Sequence, residues 1–392
     1  MKIKVTDQAK KKIRGGYPLV QQEDLLQEKY SDSYDQWVDF VDPQGTFLAK
    51  GYLGKQNKGI GWIVRWEDRP IDSDFFVQLF QDAKDKRSFF EHEEGTTAYR
   101  LFNGEGDGLG GITIDRYDAY AVFSWYNQTL YRKQEQLIAA FSRVFPEIKG
   151  IYEKIRFDDP ELPESRFVTG EKAPEPLMIQ ENFVRYATYL DEGLMTGIFL
   201  DQKEVRGKLV DGLATGKKVL NMFSYTGAFS VAAALGGAIH TTSVDLAKRS
   251  LAKTQEQFAA NGIDPATQAI HVMDVFSYFK YARKKELTFD LIVLDPPSFA
   301  RNKKKVFNVS KNYGELVEDS LTILEDDGIL IASTNAANLS AKKFKQMIEK
   351  VLNEKAAGYQ LIDSYRLPAD FAVNKGFPEG NYLKVFFYKI KK

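Results

Sequence analysis

The segment VLNMFSYTGAFS, Val219 to Ser230, constrains the fold most, because it joins an apolar strand to an apolar helix through a turn that contains Gly227. A second apolar segment ends in an acid, Asp245, eighteen residues after Gly227. In a strand-turn-helix-strand unit, N–H groups at the helix start face a ligand, and an acid after the second strand accepts hydrogen bonds from ribose. The spacing predicts a nucleoside-binding site.

The composition of this turn narrows the ligand. A pyrophosphate cofactor needs the glycines of G-x-G-x-x-G, which let phosphate approach bare backbone. Here Phe223, Ser224, Tyr225 and Thr226 stand where glycines would be needed. We therefore expect a ligand with ribose but without pyrophosphate, and S-adenosylmethionine fits that description. The missing glycines also disfavour a nicotinamide-dependent oxidoreductase.

A second motif follows the apolar strand predicted at Phe289 to Leu294, where the chain reads Asp-Pro-Pro-Ser-Phe from Asp295 to Phe299. Each proline fixes its φ and lacks an N–H, so the loop is stiff. An ordinary strand-ending turn is the alternative for this motif taken alone. Its position behind the first two motifs favours a loop that holds a substrate edge.

Composition and charge limit the partners. The chain has 392 residues, 43% of them hydrophobic, which predicts two or three domains with ample core. Its formal net charge is zero, so contact with nucleic acid would depend on local basic clusters. Two such clusters occur, at residues 1–14 and 301–311, and a solvated face is the alternative for each.

The chain contains no cysteine and only three histidines, His92, His240 and His271. This excludes disulfides, thiolate metal sites and cysteine nucleophiles, and it gives a metal site or a catalytic triad little support. The amino terminus has charge but no apolar signal region, and no stretch of eighteen apolar residues occurs. We expect a cytoplasmic protein without a membrane segment or a metal.

The pattern along the chain predicts three domains. Short alternating segments separated by turns predict a small β-barrel over residues 1–72. An α+β module follows over 73–175, and a Pro-rich, charged stretch at 158–176 marks the next boundary. From 176 to 392 strands and helices alternate, which predicts a doubly wound, mostly parallel α/β sheet closed by an antiparallel strand.

A glycine-rich piece from Gly104 to Gly111 formally contains G-x-G-x-x-G. A dinucleotide site would need a helix directly after it, but the β-rich segment ITIDRY follows. We therefore expect a loop between two strands.

Several motifs in order resemble the type I group of bacterial large-subunit ribosomal RNA methyltransferases. The similarity covers essentially the whole chain. The motifs are RGGYP, LFNGEGDGLGGITIDRY, EGLMTGIFLDQKEVR, VLNMFSYTGAFS, SVDLAKRSL, DVF, LDPPSF and FPEGNYLK. The resemblance implies an RNA-binding PUA β-barrel, an α+β linker and a Rossmann-like class I methyltransferase domain with a seven-stranded sheet. It also implies S-adenosylmethionine as cofactor and large-subunit ribosomal RNA as partner, and it leaves a homodimer open.

The resemblance also implies site residues. Asp245 would bind ribose, Asp274 with the backbone of Val275 would meet adenine, and the loop from Asp295 would face the target base. For Gln202 and Arg206, expected at the cofactor carboxylate and the substrate, a polar surface helix is the alternative. The implied cofactor-binding set is Gln202, Arg206, Asn221, Phe223, Ser224, Tyr225, Gly227, Asp245, Leu246, Asp274, Val275 and Asp295. The implied catalytic set is Asp295, Pro296, Ser298, Phe299 and Asn335.

One departure from the group bears on the reaction. The best-known activity of the group is methylation at cytosine C5, which requires a cysteine thiolate to add to C6. Where those relatives place the cysteine, this chain reads ASTNAAN from Ala332 to Asn338. The target atom should therefore already be nucleophilic, and guanine N7 is best suited because it carries no proton.

The segments DPPSFARNKKKVFNV and STNAAN also resemble the guanine-N7 half of the fused K/L ribosomal RNA methyltransferase. Methylation of an exocyclic amine is the main alternative, with Asp295 and the Pro296 carbonyl accepting its two N–H bonds. Cytosine C5 methylation, as in the type I group, and a non-catalytic RNA-binding assembly factor also stay open.

Overall fold

The computed structural model describes residues 1–27, 36–56, 59–301 and 306–392. The chain forms two compact units. Unit 1 comprises residues 1–177, 189–196 and 369–380, and unit 2 comprises 178–188, 197–368 and 381–392. The three-domain division at residues 72 and 175 stays a prediction.

Unit 1 begins with a five-stranded sheet. Its strands are β1 (Lys2–Lys4), β2 (Leu19–Val20), β3 (Trp37–Val41), β4 (Phe47–Gln56) and β5 (Gly59–Arg65), in the order β1-β3-β4-β5-β2. The predicted alternating strands are confirmed as β3, β4 and β5. The basic run forms a helix, α1 (Asp7–Arg14), that the sequence analysis missed. Thr6 caps it at the Ala9 N–H, and Ala9 and Ile13 are buried.

The second sheet of unit 1 packs against three helices, α2 (Ser73–Asp85), α3 (Gln128–Tyr131) and α4 (Gln134–Val144). The glycine-rich piece joins two of its strands, as predicted. Part of the Pro-rich stretch expected to mark a boundary is instead a strand, which the sequence analysis missed because its residues do not alternate between buried and exposed. The five strands are β6 (Ala98–Asn103), β7 (Ile112–Tyr117), β8 (Tyr120–Trp125), β9 (Gly150–Ile155) and β10 (Ser165–Gly170), in the order β10-β9-β8-β7-β6.

A late segment, residues 369–380, belongs to unit 1 although the residues on either side belong to unit 2. Arg87 anchors it: the buried guanidinium donates to the Asp370 carbonyl from Nε at 3.0 Å and from Nη2 at 2.6 Å, and it also pairs with Asp107. The Arg100 guanidinium lies over the Phe371 ring, 4.3 Å from its centroid. No sequence pattern indicated this excursion.

Unit 2 holds a mostly parallel seven-stranded sheet, which confirms the predicted fold class. The strands are β13 (Lys218–Met222), β14 (His240–Asp245), β15 (Ala269–Val272), β16 (Phe289–Leu294), β19 (Leu324–Thr334), β20 (Gly358–Tyr365) and β21 (Lys384–Lys391). Their order is β15-β14-β13-β16-β19-β21-β20, and β21 is antiparallel to both neighbours, as expected for the closing strand. Two short pairs accompany it, β11 (Leu177–Glu181) with β12 (Val184–Thr188), and β17 (Phe299–Arg301) with β18 (Val306–Asn308).

Helices cover both faces of this sheet. Side chains alternate along the central strands, so that Leu220, Ile292 and Leu330 face one apolar cluster while Leu291 and Val293 face the other. The helices are α5 (Lys203–Lys208), α6 (Ala228–Leu235), α7 (Arg249–Ala259), α8 (Val275–Lys284), α9 (Val309–Ile323) and α10 (Ala341–Lys355). Within the described ranges, no helix is long and apolar enough to cross a membrane.

Register places the strand ends side by side. Met222 lies opposite both Val244 and Leu294, and Leu294 lies opposite Ala332. The carboxyl ends of β13, β14, β16 and β19 therefore meet at one edge of the sheet, where open α/β sheets bind ligands.

Candidate cofactor and substrate site

The turn after β13 has an unusual backbone. Phe223 (φ 61°), Tyr225 (φ 52°) and Gly227 (φ 81°) all lie in the left-handed region. Two of them are not glycine, and that conformation costs such a residue about 1–2 kcal/mol. At Gly227 a Cβ atom would come within 2.5 Å of the Thr254 side chain, so a side chain is excluded there. The turn is thus a strained loop of fixed shape, typical of a ligand site.

Asp245, at the end of β14, is held by backbone donors. Its Oδ2 accepts the Tyr225 N–H at 2.9 Å, and its Oδ1 accepts the Ala247 N–H at 2.8 Å. The carboxylate is therefore tied to the turn and to the start of the next loop. A carboxylate oxygen can accept more than one hydrogen bond, so this orientation leaves it able to bind hydroxyl groups.

A cavity of about 330 Å³ opens at this edge of the sheet. This volume lies within the range of about 300–1,000 Å³ that is usual for small-molecule sites. The turn, the ends of three strands and the Asp-Pro-Pro loop all contribute to its wall. The lining residues are Phe199, Asp201, Gln202, Phe223, Tyr225, Asp245, Leu246, Asp274, Val275, Phe276, Asp295, Pro296, Pro297, Phe307 and Asn335.

The charge of this wall is one-sided. Among the described lining residues, four are aspartates, Asp201, Asp245, Asp274 and Asp295, and none is a lysine, arginine or histidine. Carboxylates in a partly desolvated cavity favour a cationic ligand over a neutral or anionic one. A sulfonium compound with a ribose group meets both requirements, hydroxyl groups for Asp245 and positive charge for the wall as a whole.

Asp295 is held from two sides. Gln202 donates from Nε2 to Asp295 Oδ1 at 3.1 Å and to Ser333 Oγ at 2.8 Å. Burial raises the pKa of Asp295 to about 6, and hydrogen bonds from Ser333 and Gln202 offset part of that rise. Near neutral pH this carboxylate is therefore ionised, close to its titration range, and fixed in direction.

The end of β19 meets the Asp-Pro-Pro loop. The Ser298 hydroxyl donates to Asn335 Oδ1 at 2.7 Å, and Asn335 lines the cavity. The Phe299 ring is 59% exposed, so it does not pack in the apolar core. Pro296 and Pro297 line the cavity, while Ser298 and Phe299 stand outside its wall.

The structure does not bring Arg206 to the cavity. Its guanidinium is 2% exposed and makes a bidentate ion pair with Glu181, at 2.6 Å from Nε and 2.8 Å from Nη2. Nη2 also donates to the Phe199 carbonyl. The polar spacing along this helix did not reveal that the partner acid lies in β11. Arg206 therefore holds Glu181 and the Phe199 backbone together behind the cavity wall. Of Gln202 and Arg206, only Gln202 lines the cavity.

The remaining predicted residues fall into two groups. Asp274 and Val275 line the cavity, and Asp274 caps α8 by accepting the Ser277 N–H at 3.1 Å. Leu246 also lines it and is 56% exposed. Asn221 and Ser224 are buried behind the turn, where Asn221 donates to Ser230 at 3.0 Å. These last two shape the turn from behind.

Four cavity residues were missed by the sequence analysis: Phe199, Asp201, Phe276 and Phe307. Phe276 and Phe307 form an aromatic wall, with ring centroids 6.2 Å apart. Asp201 precedes Gln202, and its Oδ2 accepts the Tyr382 hydroxyl at 2.9 Å. Both Asp201 and Phe276 had a usable local signal, because Asp201 is next to Gln202 and Phe276 is the last residue of the DVF motif. No local signal marked Phe307, which belongs to β18 and follows the Asp-Pro-Pro loop in sequence.

The structure describes the first of the two predicted basic clusters in full and the second only in part. In the first, Lys10 pairs with Asp42 at 2.7 Å and Lys12 pairs with Asp24 at 2.8 Å. In the second, Lys303, Lys304 and Lys305 lie outside the described residues. In the part of the chain that the structure describes, no group of three or more histidine, cysteine or acidic side chains could hold a metal ion.

Comparisons with known proteins assign the family. Residues 125–375 match the model of S-adenosylmethionine-dependent methyltransferases, and residues 3–66 match that of PUA-like domains. YwbD of Bacillus subtilis, provisionally named a ribosomal RNA large subunit methyltransferase, is 49% identical over 97% of both chains. The ribosomal RNA large subunit methyltransferase I of Yersinia pseudotuberculosis is 30% identical over 90% of both chains.

Solved structures agree with this assignment. SMU.776, provisionally named a methyltransferase and solved in complex with SAH, is 48% identical. It superposes with a TM-score of 0.93 over 99% of this chain and 100% of its own. The predicted cofactor, S-adenosylmethionine, and the class I methyltransferase fold are confirmed. The chain is an enzyme that belongs to the family of S-adenosylmethionine-dependent methyltransferases carrying an amino-terminal PUA-like domain.

Proposed function

We propose that this enzyme methylates N7 of a guanine in large-subunit ribosomal RNA by direct transfer from S-adenosylmethionine. The observation that carries the proposal is the cavity end where Asp295, Pro296 and Asn335 meet. It offers a carboxylate, carbonyls and an amide, in a chain that has no cysteine. Such a site can position a base and stabilise charge, but it supplies no thiolate for covalent activation of a carbon.

Large-subunit ribosomal RNA as the substrate class rests on the names of the relatives from Bacillus subtilis and Yersinia pseudotuberculosis. The PUA-like match supports RNA contact by the amino-terminal region. There Lys2, Lys11 and Arg14 are exposed cations, and contact with RNA phosphates would make binding depend on salt. An enzyme that modifies ribosomal RNA works where ribosomes are assembled, so a cytoplasmic location belongs to the same proposal.

The chemistry of N7 suits this site. The N7 lone pair attacks the methyl carbon of the sulfonium, a C–N bond forms, and the C–S bond breaks with its electron pair remaining on sulfur. No proton needs to leave, so no general base is required. The positive charge moves from sulfur to the purine ring. An ionised Asp295 beside the base stabilises that charge as it develops, and positioning supplies the rest of the acceleration.

The cofactor roles follow from position in the cavity. Asp245 would accept the ribose hydroxyls, while Asp274, Val275 and Leu246 would surround the adenine. The turn at Phe223 and Tyr225 would hold the methionine part, with Gln202 beside it. Asn221, Ser224 and Gly227 fix the shape of that turn. Phe299, exposed beside the cavity, would stack on the base after it leaves the RNA helix.

Methylation of an exocyclic amine is the second candidate. The geometry that favours it is the pair of acceptors at Asp295 and the Pro296 carbonyl, which could bind both hydrogens of an amine. This reaction would require a proton to leave the nitrogen after transfer. Cytosine C5 methylation is disfavoured because the chain lacks cysteine.

Replacing one atom of the substrate tests the proposal. A transcript of large-subunit RNA is prepared twice, once with guanosine and once with 7-deazaguanosine, which has carbon in place of N7 and keeps its amino group. With methyl-labelled cofactor, we expect label in the first transcript and none in the second. Equal label in both would show that N7 is not the acceptor and would favour the exocyclic amine.

A further inference from the structure

Lys384, at the start of β21, is a buried cation outside the catalytic cavity. It is 2% exposed, and its Nζ donates to the Ala336 carbonyl at 2.6 Å. Burial and the nearby positive charge of Arg366 lower its pKa to about 8. Among the described residues, no carboxylate pairs with Lys384. A buried ammonium group with only a carbonyl partner calls for an explanation, because uncompensated burial of charge is costly.

Arg366 lies close to Lys384. Tyr365, the last residue of β20, pairs with Val385 of β21, and Arg366 and Lys384 are the chain neighbours of that pair. Arg366 is exposed, and its Nη2 donates to the Asn381 carbonyl. It has no ion-pair partner within the described ranges either. Two positive charges close together repel each other, so this pair is a cost to the fold unless it binds an anion.

The position of the pair connects it with the catalytic cavity. Lys384 lies opposite Thr334, the last residue of β19. The next residue, Asn335, lines the cavity, and the one after it, Ala336, accepts the Lys384 hydrogen bond. The two cations therefore stand beside the end of the cavity assigned to the target base, at the same edge of the sheet.

The cavity and the pair of Arg366 and Lys384 carry opposite charge. The described lining of the cavity contains four aspartates and no cation, so it repels a phosphate group while it accepts a base. A nucleotide that inserts its base must therefore keep its own phosphates outside. Arg366 offers an exposed guanidinium at that position, and guanidinium groups bind phosphate oxygens in bidentate geometry.

We propose that Arg366 and Lys384 form a phosphate subsite for the RNA backbone at the target nucleotide, with Arg366 in direct contact and Lys384 beneath it. This subsite rests on the proposed function, because it needs an RNA substrate whose base enters the cavity. Arg366 contacts the phosphate. Lys384 is a positioning residue that adds positive charge and fixes the loop from Asn335 through the Ala336 carbonyl.

The test compares Arg366→Gln with Arg366→Lys and with Lys284→Gln, an exposed lysine at the end of α8 on the opposite edge of the sheet. Steady-state methylation is measured with an RNA transcript, at several salt concentrations. For R366Q we expect the RNA KM to rise about tenfold. The affinity for S-adenosylmethionine should stay within about twofold, and the salt slope of RNA binding should fall by about 0.7.

The controls separate charge from structure. R366K should recover part of the RNA affinity, because it keeps the charge and loses the bidentate geometry. K284Q should match the wild type. An R366Q enzyme with the RNA KM and salt slope of the wild type would overturn the subsite. Thermal melting of each variant checks that it is folded, and exposed Arg366 leaves little reason for unfolding.

Lys384→Met provides a second readout. We expect a lower kcat as well as a higher RNA KM, since the Ala336 carbonyl loses its donor. A K384M enzyme that melts like the wild type and keeps both constants would contradict the role of Lys384. The identity of the methylated nucleoside is determined separately for the wild type. A product other than 7-methylguanosine would refute the N7 proposal and leave the phosphate test valid.

Discussion

The side chain of Gln202 joins the two halves of the site, because its Nε2 donates to Asp295 at 3.1 Å and to Ser333 at 2.8 Å. Gln202 precedes the sheet in sequence, while Asp295 directly follows β16 and Ser333 lies near the end of β19. A donor placed on a buried carboxylate stabilises the ionised form. Gln202 therefore lowers the pKa of Asp295 against the effect of burial.

Replacing Gln202 with leucine should move the pH dependence of methylation. Without this donor, the pKa of Asp295 rises further above about 6, so the acid limb of the kcat profile should move up by about one pH unit. Gln346→Leu, on the exposed face of α10, is the matched control and should leave the profile in place. An unchanged acid limb in Q202L would show that Asp295 is not the group whose titration sets this limb.

Asp295→Asn should lower the activity of the enzyme and raise its stability near neutral pH. Removal of the carboxylate is expected to lower kcat about 100-fold or more. The folded protein binds the Asp295 proton more tightly than the unfolded chain, because the pKa rises from 3.8 to about 6. The contribution of this group to stability is thus present below pH 4 and is lost as the pH rises to 6.

The D295N variant has no carboxyl group to ionise at this position. Its melting temperature should therefore exceed that of the wild type at pH 7.5, and the difference should shrink toward pH 4.5. Calorimetry at several pH values measures it. A constant difference in melting temperature across this range would contradict the assignment of the raised pKa to Asp295.

The order of motifs predicted the sheet well, because its central strands β13 and β16 are short apolar runs followed by turn residues. The three acids Asp245, Asp274 and Asp295 were found for the same reason, since each lies at or just after the end of a strand. Arg206 shows where this reasoning stops. Its partner Glu181 lies 25 residues earlier in a separate hairpin, and no local pattern reveals such a pairing.

Phe307 and the excursion of residues 369–380 were missed for a similar reason. Phe307 reaches the cavity only after the chain turns back through β18, and the excursion joins unit 1 through contacts at long sequence separation. Strand β10 was missed because its sequence, SRFVTG, lacks the apolar-polar alternation that marks a half-buried strand.

The Arg206 and Glu181 pair should matter for stability rather than for cofactor binding. Arg206→Met leaves the Glu181 carboxylate buried without its partner, and we expect a loss of about 3–5 kcal/mol in the free energy of unfolding. The double variant E181L/R206M should regain most of that loss, since neither charge remains. Urea unfolding measures both.

Cofactor titration of the same double variant completes this test. We expect its affinity for S-adenosylmethionine to stay within about threefold of the wild type. A folded double variant that no longer binds the cofactor would show that this ion pair is needed for cofactor binding.

Asp245→Asn should weaken the cofactor directly. The carboxylate holds the Tyr225 and Ala247 N–H groups, and the asparagine amide can replace only one of the two acceptor oxygens. We expect about 10- to 100-fold weaker binding of S-adenosylmethionine by calorimetric titration. Asp264→Asn, in an exposed cap between α7 and β15, is the control and should bind normally. Equal affinities for the two variants would remove Asp245 from the ribose site.

The nucleoside product tests the central claim most directly. The purified enzyme is incubated with methyl-labelled S-adenosylmethionine and with ribosomal RNA, free and in large-subunit particles, from cells that lack the gene. The RNA is then digested, and the labelled nucleosides are identified by mass spectrometry. The account predicts label in 7-methylguanosine. Label in an N-methylated exocyclic amine or in 5-methylcytidine, with none in 7-methylguanosine, would contradict it.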